Sequence, residues 1–269
     1  MWQTRKSVVA AKPDFLILGA KRSGTTSLFY CLMQHPATAS PMKKELDYLY
    51  AKDFNPSKYQ KYFPVEGYTG EATPNYLITQ VCARRIKEIN PNVKLIALLR
   101  EPVARILSEY PKQVARGIVG ESLASLTRVE KKRLSEISIE AALCDLDYFH
   151  RHRRTSYLLR GLYFHALKMW YDVFPSESLL VLSSEQLFEN PRASVNQVLE
   201  FLSLEPCNDI SLPKLNSTSE WAEEGNPTVS IGVDLLEELA LYFAPYNEQL
   251  CQFLGRDFGW VAPTQFDGG

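Results

Sequence analysis

The sequence predicts an α/β fold: one domain with a central parallel sheet flanked by helices and a P-loop-like turn. Two apolar runs, residues 15–18 and 95–99, are each followed within a few residues by a helical stretch. A third, residues 179–183, lies between an aromatic helical segment and a further helix. Strands alternating with helices in this way build parallel sheets.

The first unit reads FLILGAKRSGTTSL: the strand closes at Gly19, and Ser23 to Thr26 open a helix. Residues 37–92 are half-polar, with turns expected at Pro56, Pro64 and Pro74, and a helix over 81–89 that ends at Asn90-Pro91. The second unit, KLIALLREPVARILSEY, gives a buried strand, a break at Pro102 and an amphipathic helix. Residues 122–154 are charged and helical, either a lid or an exposed excursion. The stretch GLYFHALKMWYDVF is a helix, and Tyr163 and Trp170 share one of its faces as core residues. A helix over about 193–202 follows the third strand. The segment LLEELALYFAPYNEQLCQFLG is expected to be one helix broken at Pro245 and ending near Gly255. No repeat, low-complexity tract or long linker appears, so the reading is a single domain over 14–262 with extensions at 1–13 and 263–269.

Composition narrows the function. With 269 residues, 45% of them hydrophobic, the chain is long enough for a substantial core. A net charge of −1 leaves no basic excess for a duplex nucleic acid, so an anionic ligand must be met locally. No run of about eighteen apolar residues predicts a membrane span. The N-terminus lacks a signal-like apolar stretch, so a cytoplasmic location is expected. The five cysteines are scattered without a CxxC pair and read as free thiols, and no His or Cys cluster has metal-ligand spacing.

Gly19 and Gly24 enclose four residues, the glycine spacing of a loop whose backbone N–H groups and helix N-terminus hold a phosphate. A triphosphatase needs Lys and then Ser or Thr after the second glycine; here Thr25 and Thr26 follow it. The cations Lys21 and Arg22 lie inside the loop, which suits a nucleotide phosphate without a magnesium-bridged triphosphate. By themselves the glycines make only a tight turn before a helix. The second unit adds Arg100 at a strand end, with Arg105 and Ser108 on the following helix, and strand ends at one sheet edge form the usual ligand crevice. Arg100 and Ser108 could thus meet a second phosphate. Two rival readings are a P-loop-type small-molecule kinase and a non-catalytic nucleotide-binding scaffold.

These paired motifs resemble the cofactor motifs of sulfotransferases that use 3'-phosphoadenosine 5'-phosphosulfate (PAPS). GEATPNYL, LRGLYFHALKMWYDVFP and LGRDFGW are similar to segments of the heparan sulfate 3-O- and N-sulfotransferase branch. The resemblance covers most of the chain. It implies that Lys21, Arg22, Ser23, Gly24, Thr25, Thr26 and Ser27 hold the 5'-phosphosulfate, with Arg22 at the cationic position beside the transferring group. Arg100 and Ser108 would bind the 3'-phosphate. Tyr163 lies near a helix that borders the cofactor in the family, and Lys214 and Gly225 lie where the family wraps a loop over it, although Glu223 and Glu224 depart from that loop's basic character.

The stretch MKKELDYLY resembles the segment that carries the family's general base, which falls on Glu45, with Lys44 as its expected partner. A carboxylate within hydrogen-bond reach of an acceptor hydroxyl can remove its proton as the oxygen attacks. His150, in the basic patch DYFHRHRRTSY, is the reserve base. Ala72 stands where the heparan-specific enzymes carry Lys and Asp47 where many have His, which argues against a heparan-like acceptor. A small-molecule, lipid, carrier-bound or glycan acceptor is expected, with the product 3'-phosphoadenosine 5'-phosphate (PAP) and no metal.

Overall fold

A computed structural model describes residues 11–207, 209–213, 215 and 229–260. Four parallel strands form one sheet in the order β2-β1-β3-β4, where β1 is Phe15–Gly19, β2 Gly70–Ala72, β3 Lys94–Leu99 and β4 Leu179–Ser183. Phe15 faces Gly70 on one side and Lys94 on the other, and Leu95 faces Leu179. The strand alternation divides the core in two. Leu16, Leu18, Leu95, Ala97 and Leu99 enter the larger cluster, while Phe15, Ile17, Ile96, Leu98 and Leu182 enter the smaller.

Helices cover both faces. On the smaller side, α1 (Thr25–Leu32) buries Leu28, Phe29 and Leu32. Further along the chain come α2 (Pro56–Gln60), α3 (Gln80–Ile89) and α4 (Pro102–Ala115). Pro102 marks the expected break between β3 and α4 and starts the helix: the Glu101 carboxylate accepts from Val103 N at 2.9 Å and Ala104 N at 2.5 Å, and proline suits the first helical position.

Residues 122–154 form three helices, α5 (Leu123–Glu136), α6 (Ile139–Cys144) and α7 (Leu146–His152). They are not an exposed excursion, because Leu123, Leu126 and Leu134 enter the main core. The buried Glu130 carboxylate accepts backbone N–H bonds from Tyr157, Leu158 and Leu159 at 2.6, 2.8 and 3.0 Å. Next is α8 (Tyr163–Tyr171), whose Tyr163 and Trp170 are buried as expected; Trp170 Nε1 donates to Leu77 O at 3.1 Å.

After β4, two helices occupy the region where one was expected, α9 (Ser184–Glu189) and α10 (Pro191–Phe201). The last, α11 (Val233–Leu254), runs straight through Pro245. A proline there removes one bond, to the carbonyl of Leu241. Leu241 and Pro245 are both exposed, so the freed carbonyl lies on the face where water can satisfy it. Gly255 ends the helix at φ 60°, as expected. All five cysteines are free thiols, and among the described residues no helix is long and apolar enough to cross a membrane.

Candidate active site

The first turn leaves β1 at Gly19 and enters α1 at Gly24. Gly24 has φ 92°, and a Cβ there would sit 2.8 Å from the Phe188 ring, so both conformation and space demand glycine. Helix geometry leaves the N–H groups of Thr25, Thr26 and Ser27 without intrahelical partners, and no side chain caps the α1 N-terminus. The Ser23 hydroxyl is buried and has no hydrogen-bond partner among the described residues. A buried orphan donor beside an uncapped helix start fits an anionic group, which would supply the missing acceptors.

The second turn leaves the neighbouring strand β3 and meets the first. Arg22 Nε donates to Ser108 Oγ at 3.1 Å, and Arg100 Nη1 donates to Arg22 O at 3.0 Å. Burial lowers the pKa of both Arg22 and Arg100 from the ordinary arginine value, but guanidinium groups stay charged in proteins. Tyr163 lies behind this turn: its hydroxyl donates to Arg100 O at 2.9 Å, steadying the arginine from within the core.

Lys21 points elsewhere. Its Nζ lies 2.7 Å from the Glu109 carboxylate, which also accepts from Arg105 and Gln113, both at 2.6 Å. Burial lowers the Lys21 pKa, with Glu109 opposing. For Glu109 burial pushes upward, yet the charges of Lys21, Arg160 and Arg105 outweigh it and hold the carboxyl at about 2. Lys21 thus anchors the loop to α4; the loop cation left beside the second motif is Arg22.

The segment carrying Glu45 crosses in front of α1. Ala72 N donates to Lys44 O at 3.0 Å, and Leu46 N donates to Glu71 Oε2 at 3.1 Å. Glu71, fully buried, also accepts from Tyr59 OH at 2.6 Å, Thr73 Oγ1 at 2.7 Å and Tyr76 OH at 2.9 Å. Burial outweighs those donors and raises the Glu71 carboxyl to about 7. Lys44 Nζ is held between Thr26 Oγ1, at 3.1 Å, and the Glu45 carboxylate. The Glu45 side chain remains 40% exposed and borders an open pocket of about 450 Å³ shared with Phe29, Tyr30 and Met42.

Other expectations fall as follows. Ser27 Oγ accepts from Leu215 N at 3.2 Å, so this buried hydroxyl fastens a distant segment to α1. His150 Nε2 lies 3.0 Å from Tyr50 O, and Tyr50 OH pairs with Asp47. Lys214 and Gly225 lie outside the described residues. Sequence reasoning missed Glu71, Glu109 and the Thr26–Lys44 contact. The one local signal was the four-residue spacing of Glu109 from Arg105.

Comparison with known proteins places the whole chain rather than the individual site residues. The sulfotransferase domain family model matches residues 12–219. Heparan sulfate glucosamine 3-O-sulfotransferase 3A1 of Mus musculus is 28% identical over 92% of this chain, which spans 64% of that relative's length. Heparan sulfate glucosamine 3-O-sulfotransferase 6 of Homo sapiens is 26% identical over 92% of this chain and 73% of its own. The crystal structure of a sulfotransferase from Alicyclobacillus acidocaldarius superposes with a TM-score of 0.72 at 27% identity, covering 92% of this chain and 97% of that one. The chain belongs to the sulfotransferase family.

Proposed function

We propose that the protein moves the sulfuryl group of PAPS to an acceptor hydroxyl or amine, releasing PAP, with Glu45 as general base. The observation that carries this reading is the meeting of two cationic turns at the ends of adjacent strands, through Arg22–Ser108 at 3.1 Å and Arg100–Arg22 at 3.0 Å. Two turns so joined suit a nucleotide with phosphates at both ends of its ribose.

When bound, PAPS supplies a sulfuryl group on a phosphate leaving group. The chain's residues divide the remaining work. Arg22, Ser23, Gly24, Thr25, Thr26 and Ser27 would hold the 5'-phosphosulfate, and Arg100 with Ser108 the 3'-phosphate. Arg22 and the first-turn amides stabilise the negative charge that develops on the leaving oxygen. Glu45 takes the acceptor proton from the solvent-accessible side. The scheme is metal-independent, on the ground that Thr25 replaces the triphosphatase lysine and the Thr26 hydroxyl accepts from Lys44.

The relatives' names specify heparan sulfate glucosamine. Here Asp47 places a second carboxylate two residues from Glu45, and Ala72 is a buried methyl with no charge to offer. Both disfavour a sulfated sugar and leave a small-molecule, lipid, carrier-bound or less anionic glycan acceptor.

Calorimetric titration with PAP, with AMP and magnesium-ATP as controls, tests the donor site. PAP is expected to bind at micromolar Kd or tighter and AMP much more weakly. Preference for magnesium-ATP would instead make the protein a kinase, and no nucleotide binding would make it a scaffold.

A further inference from the structure

We infer that Lys44 is a catalytic residue, whose ammonium contacts the sulfuryl group in transit. The inference rests on the donor and base assignments above and adds a group that neither requires.

Three observations carry it. Lys44 Nζ bridges the two halves of the candidate site, donating to Thr26 Oγ1 of the donor loop at 3.1 Å and pairing with the Glu45 carboxylate. An ammonium has three N–H donors. Those two contacts use two, and the third has no hydrogen-bond acceptor among the described residues, in a side chain only 14% exposed. The backbone is fixed as well: Ala72 N bonds Lys44 O at 3.0 Å, and the next residue but one is held by buried Glu71. A lysine on a solvated loop would scan many rotamers; this one is held on the line between donor loop and base.

In the reaction, Glu45 takes the acceptor proton as the acceptor oxygen bonds to sulfur. The bond from sulfur to the phosphate oxygen breaks, and its electron pair stays on that oxygen, giving PAP. Negative charge thereby leaves Glu45, which is neutralised by the proton, and builds on the leaving side. Lys44 contacts Glu45 at one end of that path and, through the Thr26 hydroxyl, the loop assigned to the donor at the other. As Glu45 loses its charge, the ammonium is released to the sulfuryl and leaving oxygens without moving its backbone, the arrangement in which a preorganised cation stabilises a transition state most.

The test separates Lys44 from the donor site. In the inert background Glu45→Gln, PAPS and PAP affinities are measured by calorimetry with and without Lys44→Met. Lys44→Met is expected to weaken PAPS by about tenfold or more, the worth of a charge-assisted hydrogen bond, and PAP by less than about threefold. In the otherwise native protein, single-turnover conversion of PAPS to PAP with p-nitrophenol or water as acceptor should fall about 10²–10³-fold, with partial recovery in Lys44→Arg. If Lys44→Met fails to fold, Lys44→Gln carries the same comparison. Equal losses for PAPS and PAP would make Lys44 a general phosphate ligand and overturn the inference, as would turnover within about threefold of wild type. If Glu45→Gln alone binds neither nucleotide, the donor reading itself fails and Lys44 falls with it.

Discussion

Arg22 Nε lies 3.1 Å from Ser108 Oγ across 86 residues of chain, and the same Arg22 offers its carbonyl to Arg100 at 3.0 Å. The two turns are therefore joined directly, and on the proposed reading they form one anion receptor. Arg100→Ala is expected to weaken PAP by about 10–100-fold while changing AMP binding little, because its guanidinium serves the second phosphate. Ser108→Ala should give a smaller loss of the same sign. Calorimetric ratios of PAP to AMP check this; a parallel loss for both nucleotides would place Arg100 at the 5' end instead.

Glu45→Gln removes the proton acceptor and leaves the loop intact. Turnover with any accepted hydroxyl should fall by about 10²–10⁴-fold, with PAP affinity within about threefold of wild type. A rate that survives this substitution would transfer the role to another group, and His150→Ala would be the next variant to assay.

Two buried carboxylates give opposite pH dependences. Glu109 sits at about 2 in the folded protein against an ordinary 4.5, so its stabilisation is present above pH 4.5 and is lost as pH falls toward 2. Glu71 sits at about 7 against 4.5, so the native state holds a proton there that the unfolded chain has released. Stability therefore declines as pH rises from about 4.5, and the decline is complete above about 7. At roughly 1.4 kcal/mol per unit, each contributes about 3 kcal/mol. Urea midpoints from pH 5 to 8 should fall for the wild type and flatten for Glu71→Gln; an unchanged slope in that variant would assign the titration elsewhere.

Gly24→Ala should cost about 1–3 kcal/mol and at least about tenfold in PAP affinity, because φ 92° is strained for alanine and the new methyl meets Phe188 at 2.8 Å. Gly117→Ala is the control. Its φ is 63°, but nothing lies within 4 Å, so it should cost less and leave PAP binding as it was. Thermal melts and calorimetry of the two variants decide between backbone strain and loss of the cradle.

What the sequence revealed follows from where each signal lies along the chain. β1 and β3 are buried on both faces, β4 is a partly buried edge strand, and all three read as apolar runs; Gly19, Gly24, Arg100 and Ser108 stand at fixed offsets from the first two. β2 is three residues with Glu71 at its centre, and a lone carboxylate argues against a buried strand until Tyr59, Thr73, Tyr76 and Leu46 are known to surround it. The Lys21–Glu109 ion pair was not legible because only the fold brings the two residues together. Pro245 read as a break because the sequence does not say which face of α11 meets water. The local signals were legible; partners separated by tens of residues were not.

The order β2-β1-β3-β4 sets the two cationic turns on neighbouring strands and the Glu45 segment against the edge strand β2. Adjacent strands are about 4.8 Å apart, and the hydrogen-bond ladder holds that spacing. The sheet is therefore a ruler: the gap between the two anion positions is a property of the backbone, which side-chain drift in β1 and β3 barely alters. Ala72 and Asp47, the two departures from the heparan-specific pattern, lie on and beside the edge strand β2, whereas both cationic turns leave the central strands β1 and β3.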